Sequence, residues 1–341
     1  MYDAWLFPAE LVEIGDMKTA FVTGATGLLG RHLVRNLVEQ GWSVRALHRS
    51  PGDSAALREI GAQPVAGDLN DLASLRDGMA GAAFVFHAAA LFTMWAALTD
   101  FERVNIEGTS NMLAAAQAEG VECFVYISAA GVVMGEGKPM RDVTEDTPLA
   151  YPSWAPYLST KARAQELVLE ANKISGIRTA VIMPPMIWGR GMHMLDNIVK
   201  NVAEGRFRWP AGGEQMMSTA HVDNVCACAI LAAEKSPGGR AYFVSDGKNQ
   251  SMRAVLSDLL STRGVVVKAA NAPLDMAWRM ATVMEFIWRT FRRSGEPPLT
   301  RQMLRLVGYD FTVSNQRARD ELGYQPVTNW AGGLAKMRAS G

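Results

Sequence analysis

The chain is poor in cysteine, has no excess charge of either sign and carries no long apolar run. Its 341 residues include three cysteines, Cys123, Cys226 and Cys228. So sparse and odd a set excludes a disulfide framework and points to a reducing, cytoplasmic compartment. Cys226 and Cys228 stand two apart in a predicted helix and face nearly opposite sides, so small core residues are expected there rather than a metal pair. The 34 Lys and Arg balance the 34 Asp and Glu, which removes the basic field that draws proteins onto nucleic acid or acidic lipid. No stretch approaches the ~20 apolar residues of a membrane span. No basic segment followed by an apolar one marks a signal peptide. Repeats and low-complexity tracts are also missing.

What is present is an alternation. Residues 1–16 precede a second methionine, Met17, and read as an extension without chemistry. From Met17, short apolar runs at 19–22, 43–47, 64–66, 83–87, 123–128, 179–183 and 241–244 read as strands. Helical spacing occupies 28–40, 53–60, 100–119, 156–173 and 221–235. Apolar strands separated by helices imply right-handed βαβ units, hence an α/β fold with a doubly wound parallel sheet. Residues 17–183 and 216–247 are assigned to this dinucleotide-binding domain. Residues 184–215 and 248–341 break the rhythm and are assigned to a smaller, discontinuous substrate lobe.

The segment Thr23-Gly24-Ala25-Thr26-Gly27-Leu28-Leu29-Gly30 lies between the first strand and the first helix. Gly24 permits a tight turn, Gly27 lets backbone N–H groups approach a pyrophosphate, and Gly30 lets the helix pack on the sheet. Thr26, Leu28 and Leu29 complete the loop that opens the helix. The helix N-terminus adds unpaired N–H donors and partial positive charge.

Cofactor selectivity is expected at the end of the second strand, where NAD-selective folds place an acidic residue on the ribose. Here the text is Val44-Arg45-Ala46-Leu47-His48-Arg49. Arg45 and Arg49 share one side of an extended strand and suit a 2′-phosphate, so NADP(H) is favoured over NAD(H). Asp53, further on, would serve NAD instead. Asp68 and Leu69 follow the third strand, where an adenine would lie. Asp68 either accepts from its amine or forms an ordinary turn and helix cap.

Tyr157-Leu158-Ser159-Thr160-Lys161 places a phenol and an ammonium just over one helical turn apart, on one face. A free phenol titrates near 10 and is a poor base at neutral pH. A neighbouring ammonium is expected to lower that value. In the reducing direction Tyr157 would give its proton to an alkoxide as hydride arrives, and Lys161 could hold the nicotinamide ribose.

With these residues in view, the chain resembles an extended short-chain dehydrogenase/reductase. The matching segments are TGATGLLG at 23–30, GDL at 67–69, HAAA at 87–90, VNIEGT at 104–109, YLSTK at 157–161, PPMIWGRG at 184–191 and HVDN at 221–224. HVDN and the tail LGYQP at 322–326 are most similar to the 3β-hydroxysteroid dehydrogenase and dihydroflavonol reductase branch. The resemblance implies that Ala88 and Ala89 line the cofactor, that Asn105 supports the active site and that Pro184 begins the backbone beside the nicotinamide. It also implies a Ser or Thr that orients the substrate carbonyl. The expected position holds Ala130, and Ser128, two residues earlier, either takes over the role or only bonds backbone. The arginine common before the proline is absent from Ile182-Met183-Pro184.

Phe92, Met94 and Trp95, then Met186, Trp188, Met192, His193 and Met194, then Met216 and Met217, follow predicted strands or precede HVDN. Flexible thioethers and flat rings suit a hydrophobic substrate or pack the lobe. The expectation is an NADP(H)-dependent enzyme for a hydrophobic ketone and secondary alcohol, steroid-like or aryl, with Tyr157, Lys161 and Ser128 as its catalytic set and no metal. One alternative is a sugar-nucleotide epimerase or dehydratase with tightly held NAD, using Arg190, Arg206 or Arg208 for a second pyrophosphate. Another, prompted by Ala130, is a cofactor-binding protein without catalysis. A homodimer is compatible with this reading. Peripheral membrane contact is not expected, because the arginines ending the 273–293 helix complement its dipole.

Overall fold

The computed structural model describes residues 17–135, 137–174 and 176–339. The 1–16 extension lies outside the described residues. Seven strands form one sheet: β1 (Thr19–Thr23), β2 (Ser43–His48), β3 (Gln63–Ala66), β4 (Phe84–His87), β5 (Cys123–Ile127), β6 (Arg178–Met183) and β7 (Arg240–Phe243). Their spatial order is β7-β6-β5-β4-β1-β2-β3, and every neighbouring pair is parallel. This is the doubly wound α/β sheet that the alternation predicts.

Both faces are covered, which is why the central strands are largely apolar. Side chains alternate across the pleat. Phe21, Phe124 and Tyr126 enter one core with Met112, Ala116, Leu158 and Ala162 from the helices Gly108–Ala118 and Pro156–Ile174. Ala20, Val22, Val125 and Ile127 enter the other, with Leu33 and Leu37 from α1 (Leu28–Glu39). Cys226 and Cys228, on the helix Val222–Lys235, join that second core as buried free thiols. Both are therefore the small packing residues expected.

Three elements depart from the sequence reading. A helix at Leu72–Met79 is capped by Asp71, whose side chain accepts from the Ala73 and Ser74 N–H groups. The expected 100–119 helix is interrupted by a π turn at Glu102–Glu107 between Leu98–Phe101 and Gly108–Ala118. Met140–Val143 forms a strand in a small second sheet with Phe311–Val313, Met216–Met217 and Gln250–Ser251.

A separate apolar cluster holds Trp188, Met192, Leu195, Trp209, Leu256 and Leu259. Asn224 of HVDN ties the tail to the sheet: its Oδ1 accepts the Val327 and Thr328 N–H groups at 2.8 Å each, and its Nδ2 donates to Asp246 at 2.7 Å. Among the described residues, no helix is long and apolar enough to cross a membrane.

Candidate active site

In a parallel sheet all carboxyl ends share one edge. Gly24 follows β1 there, Arg49 follows β2, Ala88 follows β4, Ser128 follows β5 and Pro184 follows β6. Between β1 and β4 the strand order reverses, and such a switch point opens a crevice.

The crevice is built from backbone. Gly24 has φ +70°, and a Cβ there would meet the Ala89 nitrogen at 2.7 Å and the Ala88 carbonyl carbon at 2.8 Å. A Cβ on Gly30 would meet the Gly24 oxygen at 2.1 Å. Only glycine fits either place. Gly27 begins α1 with no side-chain cap, so the first turn presents its N–H groups to whatever lies beyond. Thr26, Leu28 and Leu29 are partly exposed around this opening.

Beneath the crevice runs a buried polar chain. Thr109 Oγ1 donates to the Asn105 carbonyl at 2.7 Å. It therefore accepts from His87 Nε2, 3.1 Å away, which leaves Nδ1 to accept from Thr23 Oγ1 at 2.7 Å. Thr23 Oγ1 in turn accepts the Ala89 N–H at 3.2 Å. Asn105, within the π turn, accepts the Leu91 N–H at 2.8 Å and donates to Thr160 Oγ1 at 3.1 Å. One network thus fixes the backbone at Ala89 and the helix that carries the Tyr and Lys. Thr23, Thr109 and Thr160 are absent from the sequence-derived set. Their only signal is a hydroxyl inside otherwise apolar or helical text.

Tyr157 and Lys161 are both buried. Lys161 Nζ donates to the Ile127 carbonyl at 2.6 Å and sits 4.1 Å from the Tyr126 ring centre. Burial pulls its ammonium down to about 7 and pushes the Tyr157 phenol above its ordinary value. The lowering of Tyr157 by Lys161 expected from sequence is thus reversed in the protein alone: loss of water dominates, and it favours the neutral form of both groups. The Tyr157 N–H donates to Gln302 at 3.1 Å, and the Phe92 ring packs edge-on against the phenol ring, 5.1 Å between centres. Ser128 Oγ is buried and has no hydrogen-bond partner among the described residues. Its backbone N–H donates to Ile182 at 2.8 Å, and that of Ala130 to Pro184 at 2.8 Å. Met94 lines a cavity of about 370 Å³ together with Thr300 and Met303.

Two of the residues expected at the cofactor have partners within the protein. Arg45 Nη1 donates to the Gly78 and Ala80 carbonyls at 3.1 and 2.6 Å. It thus satisfies the open C-terminal end of the Leu72–Met79 helix. β2 ends at His48, so Arg49 alone stands exposed at the carboxyl edge. Asp68 Oδ1 accepts from the Asn70 backbone at 2.9 Å and its side chain at 2.8 Å, which is the turn alternative. Leu69 is buried against Gly108.

The sequence profile of the 3-beta hydroxysteroid dehydrogenase/isomerase family matches residues 21–274. The chain belongs to that family. Like its other members it is an NAD(P)-dependent oxidoreductase of the short-chain dehydrogenase/reductase superfamily, working on a ketone–alcohol pair. It is 39% identical over 326 residues to the 4-hydroxy-2-methyl-3-oxo-4-farnesyl-3,4-dihydroquinoline-1-oxide ketoreductase of Stigmatella aurantiaca, covering 95% of this chain and 97% of that one. It is 32% identical to the 2-alkyl-3-oxoalkanoate reductase of Stenotrophomonas maltophilia, covering 94% and 98%. The crystal structure of gox2253 superposes with a TM-score of 0.76 at 27% identity, covering 95% and 97%. The family's nicotinamide dinucleotide fits what is built here: a glycine cradle that any Cβ would fill, an uncapped helix start and a buried hydroxyl without a partner.

Proposed function

We propose that the protein reduces a hydrophobic ketone to a secondary alcohol with NADPH, Tyr157 acting as the proton donor. The observation that carries this reading is the buried Tyr157, held one helical turn from the buried Lys161 in a family of ketone–alcohol oxidoreductases. When bound, the dinucleotide supplies a hydride equivalent. The Gly24–Gly30 loop would hold its pyrophosphate at the uncapped start of α1, Ala88, Ala89 and Pro184 would flank it, and Arg49 would take the 2′-phosphate.

The chain's own groups then handle the substrate oxygen. Burial keeps the Tyr157 phenol protonated at neutral pH, which is the state that reduction needs. Tyr157 Oη gives its proton to the oxygen as negative charge develops there. Ser128 Oγ, without a partner among the described residues, donates a hydrogen bond to the same oxygen and orients it. Lys161, one turn along the same helix, favours the phenolate left after transfer when it is protonated. Phe92, Met94 and Trp95 form the apolar side of the cleft. The relatives act on 3-oxo compounds that carry a farnesyl or alkyl group, which supports a hydrophobic substrate.

The sugar-nucleotide alternative has less support. Arg206 pairs with Glu204 and Asn201, and Arg208 donates to the Gly205 and Phe207 carbonyls, so neither is reserved for a second pyrophosphate. Trp188 and Met192 are core residues of the separate apolar cluster with Trp209, while His193 is exposed.

The test is Tyr157→Phe. Turnover on a panel of hydrophobic ketones is expected to fall by at least about a thousandfold, within the reach of general acid catalysis, with nucleotide affinity retained. Wild-type-like turnover in this variant would falsify the reading.

A further inference from the structure

Lys161 is one of the most completely enclosed side chains of the protein, 2% exposed. Burial alone accounts for the downward pull on its ammonium, so no carboxylate of the described residues stands near enough to balance it. A lone ammonium is costly to remove from water unless the protein replaces the water it loses.

Two groups make that replacement, and both come from the last two residues of β5. The Ile127 carbonyl accepts from Nζ at 2.6 Å, and the centre of the Tyr126 ring lies 4.1 Å from Nζ. The carbonyl takes one of three N–H donors. The ring presents the negative face of its quadrupole to the remaining charge and needs no hydrogen bond to do so.

The surroundings of this ring add no competing charge. His87 is its register partner on β4, with ring centres 5.6 Å apart. A protonated imidazole there would repel the ammonium and draw on the same ring. Nδ1 accepts from Thr23, and burial pulls His87 down to about 3, so it stays neutral. Tyr157, on the helix of Lys161, is kept neutral by burial as well. The π turn Glu102–Glu107 buries only the uncharged Asn105, and the helix Gly108–Ala118 buries no ionisable side chain. Tyr126 Oη is buried without a hydrogen-bond partner among the described residues, so the ring rather than the hydroxyl makes the contact that matters.

We propose that the Tyr126 ring is the seat of the Lys161 ammonium, a positioning residue that keeps charge on Nζ at a depth where carbonyl contact alone would not. Through Lys161 it bears on the phenolate left at Tyr157. That consequence rests on the reductase reading; the seat itself does not.

The experiment follows Lys161 directly. In the full chain carrying isotope-labelled lysine, the Lys161 signal, assigned by its loss in Lys161→Met, is titrated by NMR. A midpoint near 7 is expected in wild type. Tyr126→Leu is expected to move it down by about one pH unit, the worth of a desolvated cation–π contact. Tyr126→Phe keeps the ring and removes an oxygen without a partner, so it is expected to leave the midpoint in place. Should Tyr126→Leu fail to fold, replacing Tyr126 by a trifluorinated phenylalanine keeps the shape and drains the ring face of charge, with a downward move again expected. Equal midpoints in wild type, Tyr126→Leu and the fluorinated protein would overturn the proposal. So would a Tyr126→Phe midpoint as low as that of Tyr126→Leu. Ketone reduction reads the consequence: Tyr126→Leu is expected to run about tenfold slower than wild type at pH 8, the gap closing below about pH 6. A displaced midpoint with no kinetic difference would uphold the seat and overturn the part of Lys161 in turnover instead.

Discussion

Thr23 Oγ1 lies 2.7 Å from His87 Nδ1, joining the carboxyl ends of two neighbouring strands. Both ring nitrogens of His87 are engaged, one accepting and one donating, so the imidazole is neutral. Burial first, and the Lys161 charge second, pull it down to about 3 from an ordinary 6.5. Between those values the unfolded chain binds a proton that the folded chain refuses, so stability falls as pH falls through this window. The loss reaches roughly 3 kcal/mol at pH 4. Denaturant titrations at pH 7 and pH 4 will measure it. His87→Asn is expected to be less stable at pH 7 yet to have a flatter acid limb. An unchanged limb would assign the acid sensitivity to other groups.

Arg45 and Arg49 divide two roles that their spacing makes look alike. Arg49→Ala is expected to weaken NADPH by about tenfold to a hundredfold, the worth of charge-assisted bonds to a phosphate, and to leave NADH nearly unchanged. Arg45→Ala removes the partner of two helix-end carbonyls, so it is expected to cost about 1–2 kcal/mol of stability and to affect both nucleotides equally. Fluorescence titration with each nucleotide, alongside thermal melts, reads both effects. Equal loss of NADPH and NADH in Arg49→Ala would defeat the phosphate assignment.

Ser128 offers a contrast between activity and stability. Its Oγ bonds nothing among the described residues, so Ser128→Ala is expected to hold or slightly raise the melting temperature. If Ser128 orients the substrate oxygen as proposed, the same change is expected to lower kcat/KM by about tenfold to a hundredfold. A destabilised variant with normal kinetics would mark Ser128 as structural.

Much of this was legible because parallel strands are apolar on both faces. Each of the seven expected strands forms, and the glycines of the crevice sit where the turn requires them. Period-two alternation says which face of a strand a side chain takes; it does not say toward which end a long side chain leans. Arg45 and Arg49 therefore look alike in sequence as partners for a 2′-phosphate, and the helix end that Arg45 caps is unmarked there, since Leu72–Met79 is short and carries Gly78. Spacing likewise brings Tyr157 and Lys161 to one face but cannot weigh burial against their mutual charge, and burial wins. The π turn at Glu102–Glu107 left no trace because it costs a helix only a local shift in hydrogen-bond pattern. The network through His87, Thr109 and Asn105 is a product of tertiary placement, invisible to any window along the chain.

The contact of Gly24 with Ala88 and Ala89 is backbone against backbone, and so is the contact of Gly30 with Gly24. No substitution can be absorbed there by a rotamer change, so both positions admit only glycine. Across from it stand Phe92, Met94 and Trp95, side chains that can be traded one at a time without disturbing that seam. Exchanges at these three side chains therefore leave the glycine seam as it is.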